Sequence, residues 1–305
     1  MDIRPPTFRS IRLVSDTGYS VTIAENANDY CLDENGLDWG TVGSTQNSTQ
    51  YIDLIGKHVD SIVLSPRDIT LIGWIIGESE AMIQKRKITL NRVVNPMYNV
   101  RLEYKDYVLN FYPDSSIQYS KTYEENNEYM CKFQIQGTAP MPLFKLKDYD
   151  IYRQTTEVRS SFHFPLAIPK DRGVVFGYLP FDSIRNMPNT GDVESGFILY
   201  FSATGGQVVN PKITKLATNE IIQLNYTLED GDSAEICTEL GEQYVTIHTD
   251  SGRDLNGIKY LSNDSVIDMK LNVGINTFEP ASEEGEAYLE ASMRFSPRFL
   301  EVEGR

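Results

Sequence analysis

The chain has 305 residues, with 43 acidic against 28 basic side chains and a formal net charge of -15. That surplus excludes a protein whose affinity comes from clustered cations on phosphate, and a hydrophobic content of 40% excludes a chain that stays disordered. The length predicts about two domains, each able to bury its own core.

Residues 1–12 carry Asp2, Arg4, Pro5, Pro6 and Arg9, where an export signal would place an apolar block. The expectation is a protein made and kept in the cytoplasm, unless it leaves inside a larger particle. The longest uncharged apolar stretches, residues 69–77 and 173–181, are about half of the ~18 residues that a membrane-spanning helix needs. Cys31, Cys131 and Cys237 match neither a disulfide framework nor a zinc spacing and read as buried thiols of a reducing compartment.

Taken in chain order, residues 25–56 come first as a segment rich in Asn, Asp, Gly, Ser, Thr and Gln, without strong periodicity. Such a segment reads as a functional loop or as disorder. Trp39 lies within it, between Asp38 and Gly40, and is a candidate anchor for a partner, the alternative being that it packs back on its own domain. Residues 70–76, 100–104, 107–111 and 131–135 alternate as strands, with Lys105-Asp106 as a tight connection. Residues 78–87 have helix-forming composition over about ten positions, which predicts a short helix attached to a sheet. The alternation stops after Gly137, and Pro140 and Pro142 interrupt any strand. A boundary is placed there, giving domains 1–148 and 149–305.

The second part is the more acidic, with a net charge of -11 after Tyr149 against -4 before it. Residues 197–201 are apolar on both faces. Residues 222–228 alternate and run into Glu229-Asp230-Gly231-Asp232, a turn signal that predicts a hairpin. Residues 267–273 alternate up to Gly274, and residues 289–295 up to Pro297. The fold class is all-β with a short helix, and the second part reads as an antiparallel sandwich or jelly roll.

The usual chemical motifs are missing from the sequence: no glycine-rich phosphate loop, no G-x-G-x-x-G, no G-x-S-x-G and no H-E-x-x-H. His58 with Asp60, His163, and His248 with Asp250 read as surface or half-buried histidines, since two-residue spacing only places side chains on one strand face. Asp250 and Asp254 around Ser251-Gly252 have oxygen ligands for calcium but are also ordinary turn residues. Glu283-Glu284-Gly285-Glu286 reads as a solvated loop rather than a pair of hydrolytic carboxylates. The expectation is therefore no enzyme, no cofactor and no metal. The 11% aromatic content suits cores and subunit interfaces more than sugar stacking. One contiguous basic cluster, Lys85-Arg86-Lys87, stands out.

Five fragments, in this order, resemble the C-terminal domain of siphophage distal tail proteins. They run from Gly191-Asp192 through Gly196 to Phe201, across Asn210-Pro211, from Glu220 to the turn at Gly231, across Gly274 and Asn276, and up to Pro297-Arg298-Phe299. Each position also has a local meaning. Pro211 fixes its own φ and pushes Asn210 out of the helical region, and Gly231 and Gly274 sit where the chain reverses.

The resemblance implies a ring-forming β-sandwich or split-barrel domain that docks on a tail tube, followed by a galectin-like sandwich. It implies a virion structural protein at the tail tip: a homohexameric ring that joins the tail tube protein to the tail lysin or hub protein and to baseplate or receptor-binding proteins. DNA would pass through an acidic lumen without binding. A galectin-like fold does not import sugar binding, so a carbohydrate-binding module for host wall glycans stands as the alternative.

Overall fold

The computed structural model describes residues 9–50, 55–147, 151–154, 159–160, 177–178 and 185–302. His163 lies outside them, as does the stretch 173–181 apart from Gly177–Tyr178. The chain divides into two compact units, one of residues 1–147 and 299–305 and one of residues 148–298. The terminal segment from Phe299 thus belongs with the first unit. No helix among the described residues is long and apolar enough to cross a membrane.

Among the described residues the first unit holds eleven strands before the crossing into the second: β1 (Ser10–Ser15), β2 (Ser20–Ala24), β3 (Tyr30–Asp38), β4 (Ser44–Thr49), β5 (His58–Leu64), β6 (Arg67–Ile76), β7 (Val100–Tyr104), β8 (Tyr107–Pro113), β9 (Gln118–Tyr119), β10 (Met130–Ala139) and β11 (Phe144–Leu146). One helix, α1 (Glu80–Val93), separates β6 from β7. The main sheet runs β8-β7-β1-β2-β3-β6-β10, and β10 pairs again with β8, so seven strands close into a barrel. Closure turns on Gly137, which pairs with Pro113. A Cβ there would lie 2.4 Å from Cδ2 of Phe111 and 2.7 Å from the carbonyl oxygen of Tyr112, so only glycine lets the two strands meet. Alternate residues of β1, β6, β7 and β10 fill the interior, among them Leu13, Leu71, Leu102 and Phe133.

The helix is longer than composition predicts. Thr89 and Val93 are β-branched and lower intrinsic propensity, but Ile83, Leu90 and Val93 are buried in the barrel core, and packing extends the helix past residue 87. Glu80 in the first turn and Arg92 in the last complement its dipole, and Pro96 follows its end.

The segment 25–56 corrects its sequence reading, for it contains β3 and β4. In β3 the register to β6 shifts between Leu32 and Leu37. Gly36 lies so close to the Ile72 carbonyl that a Cβ would be 2.0 Å from it. This bulge breaks the period of two after three residues and hides the strand from pattern reading. Trp39 is likewise not exposed. It is 5% accessible, with its ring 5.1 Å from that of Tyr104 and edge-on to Phe144 at 5.5 Å. The apolar indole is worth more in the core than in the loop that leads to it.

The second unit pairs a six-stranded sheet, Ile151–Gln154, Leu289–Phe295, Ile198–Ala203, Ser233–Cys237, Tyr244–His248 and Asp254–Asn256 in spatial order, with a four-stranded sheet of Arg185–Asn189, Gly274–Ala281, Lys212–Lys215 and Glu220–Gln223. Their inner faces share one core, with Leu199, Phe201, Ile236 and Met293 from the first and Met187, Ile213, Ile222 and Phe278 from the second. That is a β-sandwich. Within Ile198–Ala203 one face is buried and the other half-buried.

Two sequence expectations fail here. The hairpin at Glu229–Asp232 does not form: Thr227–Leu228 pairs with Val208–Val209, and Ser233–Cys237 pairs with Ile198–Ala203 and Tyr244–His248. The turn carries the chain from one sheet to another. Residues 267–273 are not a strand, although Met269 and Leu271 are buried. Their alternation reflects burial without a ladder. Gly274, at φ +93°, opens the strand Gly274–Ala281 instead of ending one.

Candidate assembly surfaces

The positions that carried the resemblance lie in turns and at strand ends, apart from Asn276, which is inside the strand Gly274–Ala281. Asn276 is 3% accessible. Its Nδ2 donates to the carbonyls of Asn272 (2.7 Å) and Met187 (3.3 Å), while its Oδ1 accepts the Asn272 N–H at 2.8 Å. Asn189, on the paired strand, does the same for Gly191, Val193 and Leu271, a role that sequence reading missed because one buried asparagine looks like any turn residue. The amide of Asp192 donates to the Arg298 carbonyl at 2.8 Å, and Gly191 packs so tightly there that a Cβ would meet that oxygen at 2.6 Å. A Cβ on Gly196 would meet the Glu239 backbone at 2.7 Å. Asn210 takes a positive φ of 51° and donates to Glu283 at 2.8 Å; the Pro211 carbonyl accepts from Leu224. Gly231 has φ +89° and its amide donates to Ala203, and Pro297 is buried. The buried asparagines and tightly packed glycines among them hold loops and strand ends in place.

The histidines separate in the same way. His248 Nδ1 lies 2.7 Å from Asp254 Oδ1 and its Nε2 lies 3.8 Å from Glu235, whereas the Asp250 amide is tied to Asp232. Asp250 and Asp254 thus face different partners. His58 is exposed on β5, and Asp60 accepts from Thr49. Among the described residues no group of three or more His, Cys, Asp or Glu is placed to hold a metal ion.

Three surfaces remain with something to offer. β4 and β5 form a two-stranded hairpin in which every residue is exposed, including Ile62 at 61% and Val63 at 58%. A lone hairpin is marginal in water, and exposed branched apolar residues on free edges are what a neighbouring chain would cover.

The second surface is a groove of about 480 Å³ lined by Arg9, Arg12, Glu103, Tyr104, Lys105 and Lys147. β1 and β7 pair Arg12 with Glu103, and β1 and β2 pair Arg12 with Thr22. Leu102 and Tyr104 face the core, so Glu103 points outward. It is nevertheless 4% accessible, covered by Lys147 at 2.7 Å, Arg12 at 3.7 Å and a hydrogen-bonded Arg101. Burial pushes its carboxyl up, but the bonds from Lys147 and Arg101 outweigh that and hold it below the usual carboxylate range. These cations are scattered between residues 9 and 147, which is why the sequence shows only Lys85-Arg86-Lys87 as a cluster.

The third is the loop between β9 and β10, where Tyr123 is 80% exposed and Tyr129 and Met130 stand out beside Glu124 and Glu128. The loop is held in shape: Asn126 donates to the Ser120 carbonyl, Met130 N–H to Asn127, and Gly77 N–H to the Tyr129 carbonyl.

The described residues thus form a seven-stranded barrel and a β-sandwich, with polar groups committed to loops and apolar residues left on strand edges. No protein-family model matches the sequence, and no curated protein matches it. The fold, however, is that of the SPP1 Dit protein (gp 19.1), a hub of the adsorption apparatus in phages infecting Gram-positive bacteria: TM-score 0.63 at 10% identity, over 96% of this chain and 100% of that one. The resemblance read from the residues holds at the level of fold. Two structures of the phage P2 baseplate, activated with Ca and with Sr, give TM-scores of 0.48 and 0.46 at 10% and 11% identity, each over 95% of this chain and 98% of that chain.

Proposed function

We propose that the protein is a structural distal tail protein of a phage tail or phage-derived particle, a homohexameric ring at the tail tip that joins the tail tube to the hub or tail lysin and to baseplate or receptor-binding proteins. The single observation that carries this reading is the fold shared with SPP1 Dit along nearly the whole length of both chains. The surfaces support it: the exposed hairpin and the tyrosine-rich loop are unfinished by the chain itself, and the buried polar groups of the sandwich are structural. The two-unit organisation suits a ring-closing domain, residues 1–147 with 299–305, and a sandwich, residues 148–298, that displays partners.

The test is the mass of the purified protein by light scattering across a concentration series, followed by imaging. A particle of six 34.6 kDa chains around a central hole is the expected result. A monomer at every concentration, and still a monomer with tube protein added, would overturn it.

A second reading rests on the outer face of the six-stranded sheet. A groove of about 460 Å³ is lined there by Gln243, Tyr244, Thr246, Asp254 and Asn256, a mix of one aromatic face and several hydrogen-bonding groups suited to a sugar ring. Titration with host wall glycans checks it, and heat-silent titrations would remove it.

A further inference from the structure

The geometry points to a head-to-tail contact in which the basic groove of one copy receives the acidic, tyrosine-rich loop 120–129 of the next. This inference rests on the ring reading and names the surfaces that would close it.

The groove is lined by four cations, Arg9, Arg12, Lys105 and Lys147, against one carboxylate, Glu103, in a chain whose net charge is -15. Arg9 is neutralised by Glu25 at 2.6 Å, whereas Arg12, Lys147 and the neighbouring Arg101 share the single carboxylate of Glu103, which leaves the groove with a net positive charge. Glu103 already bonds Arg101 and Lys147, and Lys105 sits at the two-residue turn between β7 and β8, with its ammonium 5.3 Å from the Tyr104 ring and no carboxylate partner among the described residues. Such a patch cannot face its own copy, because two basic grooves repel. A self-complementary dimer through this surface is excluded, and any self-contact must be heterologous, joining two different patches, which generates a ring or a filament.

The fold places a complementary patch on the opposite wall. Around the barrel the order is β8-β7-β1-β2-β3-β6-β10 and back to β8, so β6 and β10 are the strands farthest from β1. The groove lies on β2, β1 and β7. The loop that enters β10 carries Glu124 and Glu128, both exposed and unpaired among the described residues, against one exposed cation, Lys121, while Glu125 is neutralised by Lys132 at 3.5 Å. Beside them Tyr123, Tyr129 and Met130 are exposed, a composition enriched at protein interfaces. The loop's backbone is bonded to Gly77 at the end of β6 and to itself, so it is ordered before any partner arrives, and little entropy is lost on docking. One rigid barrel therefore presents opposite charges in opposite directions, and each copy can donate the loop and accept it.

The experiment uses the full chain and compares four proteins by light scattering at low and high salt: wild type, Lys105→Glu with Arg12→Gln, Glu124→Lys with Glu128→Lys, and the combination of all four changes. The altered side chains are half-exposed or exposed, and unchanged thermal unfolding checks that each variant is folded. Each one-sided variant should raise the concentration for ring formation by about ten-fold or more, with a weaker dependence on salt than wild type. The combined variant, which reverses the charge at positions 105, 124 and 128 and removes it at position 12, should recover part of the ring formation that either one-sided variant loses. Rings that persist in both one-sided variants would overturn this contact and leave the ring reading standing. A combined variant that stays dissociated would overturn the pairing of these two patches. A wild type that never associates would overturn the ring reading and this contact with it.

Discussion

β5 and β6 are consecutive strands of one unit, separated only by Ser65 and Pro66, and both are rich in branched apolar residues. Their surroundings are opposite. β6 lies between β3 and β10 in the closed sheet and buries every second residue, from Arg67 through Ile69 and Leu71 to Ile75. β5 has β4 as its one neighbour, and all seven of its residues face solvent. Composition therefore does not decide burial here; the number of neighbouring strands does. One strand stabilises the barrel, and the other leaves its side chains in solvent.

The largest effect should come from breaking the closure that protects β6 and its neighbours. Gly137→Val would drive a branched side chain into Phe111 and the Tyr112 carbonyl, and Phe111→Ala would empty the same spot, at a cost of about 3–5 kcal/mol. Chemical denaturation of the purified variants measures it. Full stability in Gly137→Val would mean that the β8–β10 pairing is not what holds the barrel shut.

Next comes Arg67, which begins β6 and is 1% accessible. Its guanidinium donates to the carbonyls of Pro142 (3.0 Å), Trp39 (3.4 Å) and Leu300, and lies 4.9 Å from the Phe144 ring centroid. It fastens the loop bearing Trp39 and the returning C-terminal segment to the barrel. Arg67→Met keeps the volume but removes the donor to two buried carbonyls and one half-buried one, so about 2–4 kcal/mol should be lost. Hydrogen exchange should show the segment 299–302 opening first.

A smaller, pH-dependent effect should come from Glu103. Its folded pKa lies below the unfolded one, so the stabilisation is fully present above the unfolded value of ~4.3 and is lost as the pH falls through the folded value. Glu103→Gln should cost about 1–2 kcal/mol at pH 7, with its partners a third to a half exposed, and close to nothing at the most acid pH. Unfolding midpoints measured from pH 7 downward should converge for the two proteins. Parallel curves would show that the carboxylate contributes no charge-dependent stability.

How far these features were legible depends on the span of sequence that encodes them. Strands with unbroken alternation, such as Leu289–Phe295, stand in the sequence with their bounds, and so does the Lys105-Asp106 turn, because both are local. β3 is not legible, since its bulge at Gly36 interrupts the period. The hairpin expected after Leu228 fails because a turn signal specifies a reversal but not which sheet the next strand joins. The basic groove is the extreme case. Arg9, Arg12, Lys105 and Lys147 become neighbours only through the β2-β1-β7 pairing, and no window of sequence contains them together. Trp39 shows the same limit in reverse: its neighbours in the chain are polar, while its neighbours in space are Tyr104 and Phe144.

The smallest effect on the isolated chain should come from β5 itself, and that smallness is the informative result. Ile62→Ser with Val63→Ser removes two exposed apolar side chains that touch no core, so stability of the monomer should change by less than about 0.5 kcal/mol. If the hairpin exists for a neighbouring chain, the same pair of changes should impair ring formation, because the apolar area they remove would be buried only in the assembly. Measuring unfolding and particle mass on the same preparation separates the two roles. A variant that is equally stable and equally assembled would show that the hairpin contacts neither the core nor another copy. A variant that loses stability in proportion to Phe111→Ala would erase the contrast between β5 and β6.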